Sequence, residues 1–90
     1  MEYSVLIVED DETLADNIRT YLERKGYEAL VCGSAEQALE AFATLHPDVL
    51  LTDYSLPGVS GVELIRQVRG QDAHIKAVMM TAHGSVPWRR

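Results

Sequence analysis

"LLTDYSLPGVSGVELIRQVR" spans residues 50–69. Aliphatic and β-branched residues lead into one aspartate, Asp53. A Pro-Gly turn at Pro57 and Gly58, another glycine at Gly61 and an amphipathic stretch follow. The leading run, with Val49, reads as a strand buried on both faces. Buried positions disfavour an ionised carboxylate, so the end of this strand at Asp53 demands a reason.

Working outward, three more short apolar runs read as strands: residues 5–8, 27–32 and 77–81. Helical patterns lie between them. Leu14, Ile18, Tyr21 and Leu22 recur at helical spacing, with Gly26 placed just past the helix end. Ser34 with Gln37, and Ser60 with Glu63, fit capping boxes that satisfy backbone N–H groups at a helix start. Leu39, Phe42 and Leu45 mark the second helix's apolar face, which Pro47 ends. Val62, Ile65 and Val68 mark the third, which Gly70 ends. The order βαβαβαβ with short connections predicts an α/β fold: a parallel sheet with helices on both faces.

In such a sheet all strand C-termini share one edge, where ligands bind. The first strand delivers Glu9, Asp10 and Asp11 there, the third Asp53 and the fourth Thr81. The second delivers only uncharged Gly33 and Ser34. Two carboxylates about 4 Å apart repel by about 4 kcal/mol at an effective dielectric of about 20. A hard divalent cation reverses that sign, and magnesium favours one or two carboxylates plus phosphate oxygens. The cluster therefore predicts a magnesium-assisted phosphoryl site. A carboxylate is also a nucleophile toward phosphorus, which gives Asp53 a role. The plainer alternative for Asp11 and Glu12 is that they start a helix and complement its dipole. Thr81 by itself reads equally as an ordinary strand residue, and Ala82 alone carries no signal.

Ninety residues hold one domain at most. The 47% hydrophobic and 24% charged content is ordinary for a globular chain. A net charge of −6 argues against direct nucleic-acid contact by this segment. The single cysteine, Cys32, allows no disulfide within the chain; it reads as buried and inert, in a reducing compartment. No apolar run approaches the roughly 20 residues of a membrane helix. The start, "MEYSVLIVED", lacks a signal peptide's basic region, so the cytoplasm is the expected location and no membrane contact is expected. His46, His74 and His83 lack the spacing of metal ligands.

At these residues the sequence resembles the response-regulator receiver domain of two-component signalling. "VLIVEDDETLADNI" resembles the family's first strand and acidic pair. "LLTDYSLPGVSGVELIRQVR" resembles its phosphoacceptor strand and loop, and "AVMMTAHG" its fourth strand with switch threonine. "MTAHGSV" is most similar to receivers of the nitrogen-regulation type, attached to enhancer-binding activators. The resemblance implies a flavodoxin-like fold, here with strand order 2-1-3-4. It implies that Asp53 accepts a phosphoryl group from a histidine kinase or small phosphodonor. It implies magnesium held by Glu9 and Asp10, one directly and one through water, by Asp53, and by the backbone carbonyl of Ser55. It implies that Thr81 contacts the phosphoryl group, flanked by Ala82, and that a downstream output, transcriptional in kind, is switched. Such a domain is no enzyme beyond its own phosphorylation.

The likeness extends from Val5 to about Val86 within a truncated receiver domain of residues 1–86, and residues 87–90, "PWRR", read as a tail outside the family pattern. The family's fifth strand, last helices and phosphoryl-contacting lysine have no counterpart in these residues. Lys25 and Lys76 fall toward the edge opposite the acids. Two expectations follow: impaired phosphorylation, and a fourth strand whose free apolar edge makes a homodimer or higher oligomer by edge pairing or element exchange. Trp88 is open to two readings, a cover for the uncovered apolar surface or a terminal residue without fixed structure.

Three other functions compete. A non-catalytic fragment would only oligomerise. A haloacid-dehalogenase-like phosphatase also uses an aspartyl nucleophile with magnesium, but places Asp-x-Asp after the first strand. A flavin binder wants a phosphate loop there, and "EDDET" is its electrostatic opposite.

Overall fold

Strand β1, Ser4–Val8, lies between two neighbours in a four-stranded parallel sheet of order β2-β1-β3-β4, where β2 is Glu28–Cys32, β3 is Val49–Asp53 and β4 is Lys76–Met80. Helices α1 (Glu12–Arg24), α2 (Ala35–Leu45) and α3 (Gly61–Gln71) make the crossovers. The structure, a computed structural model, describes residues 3–80. Thr81, Ala82, His83, Trp88 and the 87–90 segment lie outside the described residues.

The path decides the layers. β1 to β2 runs one way across the sheet, whereas β2 to β3 and β3 to β4 run the other. Right-handed crossovers then put α1 on one face and α2 with α3 on the opposite face. Leu6, Val8 and Leu50 point into the core with Phe42 of α2 and Leu64 and Val68 of α3. Alternation along the strands turns Val5, Ile7, Val49 and Leu51 to the α1 face.

The caps form where the sequence places them. Ser34 Oγ accepts from Gln37 N–H (3.2 Å) and Ser60 Oγ from Glu63 N–H (3.2 Å). The return halves of the boxes differ. Gln37 Oε1 accepts from Gly33 N–H (2.9 Å), whereas the Glu63 carboxylate turns outward to Arg66 and Gln67. Gly26 takes φ +94° just past α1, as the C′ reading requires.

Helix α2 stops just before Pro47, as expected, with His46 as its left-handed cap at φ 50°. Three details differ from expectation. Helix α3 passes through Gly70 and ends at Gln71. Tyr21, Leu45 and Val62, expected on buried stripes, are 60%, 54% and 51% exposed. Small residues take the closest positions: Ala15 in α1, Ala35 and Ala38 in α2 and Gly61 in α3 are buried. Small residues let the helix backbones approach the sheet closely, beside the large core residues Phe42, Leu64 and Val68.

Among the described residues β4 has one hydrogen-bonded neighbour, β3, and its Val78 and Met79 are 51% and 39% exposed. A groove of about 550 Å³ runs beside it on the α1 face, lined by Val5, Tyr21, Leu22, Val49, Leu51 and Val78 among others. Among the described residues no helix is long and apolar enough to cross a membrane.

Candidate functional site

The parallel register assembles the site. Val8 of β1 pairs with Thr52 of β3, so one step further along both strands sets Glu9 beside Asp53. Glu9 keeps β1 in the sheet a little longer through its N–H, which donates to the Cys32 carbonyl (3.0 Å). Asp10 follows on the same edge. Ligand oxygens of Glu9, Asp10 and Asp53 lie within 4.8 Å of one another. Glu9 and Asp53 are 3% and 0% exposed, whereas Asp10 is open to solvent.

Glu9 Oε2 accepts the Asp11 N–H (3.1 Å), and Oε1 is buried with no hydrogen-bond partner among the described residues. Burial pushes the Glu9 carboxyl above its usual range, and the Asp53 and Asp10 carboxylates push the same way. The Asp11 N–H opposes that shift without cancelling it. A buried carboxylate oxygen beside two more carboxylates fits a divalent cation that takes oxygen ligands.

Asp11 and Glu12 take the plainer role. Asp11 caps α1, its Oδ1 accepting from Leu14 N–H (3.1 Å), and Glu12 sits exposed in the first turn. Cys32 is buried and its thiol is pushed up by desolvation. His46 caps α2, and the His74 backbone N–H donates to Asp72 Oδ1 (3.0 Å). Neither joins the acids. Lys25 follows α1 and Lys76 begins β4, both at the edge remote from the acidic end.

The loop after β3 is tightly folded. Gly58 supplies φ +82°, Ser55 and Ser60 form an isolated bridge, and Gly61 N–H donates to the Tyr54 carbonyl (2.8 Å). A Cβ on Gly61 would collide with the Asp53 carbonyl oxygen and stand 3.2 Å from Tyr54 Cα. Only glycine allows the start of α3 to press on the strand end that carries Asp53. Sequence reasoning missed Thr52. It is fully buried, and its hydroxyl donates to the Asp53 carbonyl (3.0 Å). The available signal was a hydroxyl residue in an otherwise aliphatic strand, next to the aspartate.

This geometry meets its like among known proteins. The family "Response regulator receiver domain" matches residues 5–90. RegX3, a sensory transduction protein of Mycolicibacterium smegmatis, is 42% identical over 82 residues, which are 91% of this chain and 36% of the relative. MtrA, a DNA-binding response regulator of Mycobacterium tuberculosis, is 38% identical over the same shares. The chain thus spans about a third of the length of these curated relatives. Their names carry no nitrogen-regulation label. A crystal structure of a receiver domain protein from Clostridium thermocellum superposes with TM-score 0.87 at 30% identity, over 91% of this chain and 67% of the other. One from Methanospirillum hungatei, described as CheY-like, gives TM-score 0.88 at 28% identity, over 96% and 69%. The flavodoxin-like order 2-1-3-4 is therefore shared with solved receivers, and neither the phosphatase nor the fragment reading is favoured. Strand order, acidic edge and sequence relatives agree, and the chain belongs to the response regulator receiver domains of two-component systems.

Proposed function

We propose that Asp53 is a phosphoacceptor, charged by a histidine kinase or a small acyl phosphate, and that the resulting charge change switches an attached output. The observation that carries this reading is the convergence of Glu9, Asp10 and Asp53 on one sheet edge, with a buried, unpartnered oxygen on Glu9. An Asp53 oxygen forms a bond to phosphorus as the donor's P–N or P–O bond breaks, and the departing group keeps the electron pair. Glu9, Asp10, Asp53 and the Ser55 carbonyl would hold magnesium, which supplies positive charge to offset that on the phosphoryl oxygens. Glu9 and Asp10 exclude other anions until a cation is present. Thr81, contacting the phosphoryl group, and Ala82 beside it complete the proposed set.

The chain acts as a signalling module rather than an enzyme with turnover on a separate substrate. It works in the cytoplasm, makes no direct contact with nucleic acid or membrane, and reports to a DNA-binding output of the kind named in MtrA. Residues 1–86 form the receiver unit. Association through β4 accompanies this role. Acetyl phosphate with magnesium should place a phosphoryl group on the Asp53 peptide, read by mass spectrometry, and Asp53→Asn should abolish it. Labelling that survives Asp53→Asn would defeat the assignment.

A further inference from the structure

The peptide unit between Asp53 and Tyr54 is held at every polar atom. The Asp53 carbonyl accepts from Thr52 Oγ1 (3.0 Å), and the Tyr54 N–H donates to the Met80 carbonyl (2.8 Å). The next carbonyl, that of Tyr54, accepts from Gly61 N–H (2.8 Å). Gly61 Cα fills the remaining side so closely that a Cβ would stand 3.1 Å from the Asp53 carbonyl carbon and 3.2 Å from Tyr54 Cα.

This is more than a strand ladder supplies. Ladder bonds tie backbone to backbone between strands. Here a side chain from the preceding residue and the first residue of a helix both close on one peptide plane. Thr52 and Asp53 are both 0% exposed, so water cannot take the hydroxyl's place. A buried carbonyl stripped of its donor would turn to find another, and the plane would turn with it. That plane fixes the direction in which Asp53 leaves the backbone and where the Ser55 backbone begins.

We propose that Thr52 and Gly61 are positioning residues, a two-sided clamp on the Asp53–Tyr54 peptide that holds the carboxylate aimed at its neighbours before any ligand arrives. Preorganised groups need no rearrangement when charge develops, and shells behind a ligand commonly set affinity. The part concerning the cation rests on the magnesium reading above, while the clamp itself is a property of the metal-free chain. A merely structural Thr52 would fill space and satisfy its own hydroxyl, with no special hold on residues 53–54.

Thr52→Val and Thr52→Ser in the 90-residue chain separate the two. Valine keeps the branched shape and loses the donor, while serine keeps the donor. Amide hydrogen exchange in metal-free buffer is the first readout. Thr52→Val should speed exchange at Tyr54 and Gly61 about tenfold more than at Leu6 and Ile7, and Thr52→Ser should leave that ratio near the parent's. Calorimetric titration with magnesium is the second. Thr52→Val should weaken binding about tenfold, with Thr52→Ser within about twofold of the parent. Exchange at Tyr54 and Gly61 that changes only in step with Leu6 and Ile7 overturns the clamp. Unchanged magnesium affinity in Thr52→Val, in a chain whose parent binds magnesium, overturns the claim that the clamp aims the carboxylate for the cation. A parent chain that takes up no magnesium defeats the magnesium reading instead, and the exchange ratio still decides the clamp.

Discussion

Glu9 and Asp53 stand beside each other on adjacent parallel strands, their carboxylate oxygens within 4.8 Å, with Asp10 completing the group. Like charges at that distance repel by about 3 kcal/mol at an effective dielectric of about 20. The folded chain carries that repulsion at two buried carboxylates, and a cation would convert it to attraction.

Glu9→Gln removes one of the charges while keeping the shape. In metal-free buffer it should stabilise the fold by about 1 kcal/mol, a rise of about 4–8 °C in Tm for a domain of this size. Magnesium should then raise Tm much less than it raises the parent's. Thermal unfolding of both proteins with and without magnesium checks this; equal magnesium shifts would remove Glu9 from the ligand set.

The same carboxyl predicts a pH dependence. Burial first, then Asp53 and Asp10, raise the Glu9 pKa above the ordinary 4.5, against the Asp11 N–H. Between the unfolded and folded values the folded chain holds a proton that the unfolded chain has lost. Stability from this group therefore falls as pH rises from about the unfolded value through the folded one. Urea unfolding across acidic to neutral pH should show the parent losing ground to Glu9→Gln over that window. A constant difference between the two would contradict the shift.

Two glycines of α3 should answer alanine oppositely. Gly61→Ala forces a Cβ into the Asp53 carbonyl and should cost about 2 kcal/mol or more. Gly70→Ala meets nothing within 4 Å inside the last turn of the helix and should stabilise by about 0.5 kcal/mol. Chemical denaturation of the pair reads the contrast directly.

The side of β4 that pairs with no strand among the described residues should be sticky. Val78→Lys puts a charge on a half-exposed position of the edge strand without touching the acidic end. Sedimentation should show the parent self-associating and the variant shifted toward monomer. A parent that stays monomeric at high concentration would end the edge-pairing proposal.

Much of this was legible in the sequence because strand identity depends on local runs and caps on single residues. Residues 49–52 and 5–8 read as strands from their β-branched content, and Ser34 and Ser60 cap as their spacing indicates. The convergence of Glu9, Asp10 and Asp53 followed from parallel direction alone. Helix stripes were harder. Periodicity gives the phase of a helix but not how closely it sits on the sheet, so Ala15, Ala38 and Gly61 were passed over in favour of Tyr21, Leu45 and Val62. Thr52 was invisible for a different reason. A threonine suits any strand, and only three-dimensional placement reveals which carbonyl its hydroxyl has found.

The Tyr54 N–H to Met80 carbonyl bond joins the residue after the carboxylate to the last described position of the edge strand. That bond is the last rung of a ladder that pairs β3 with β4 from Val49 to Asp53, so the backbone beside the carboxylate and the outermost described strand are built as one piece.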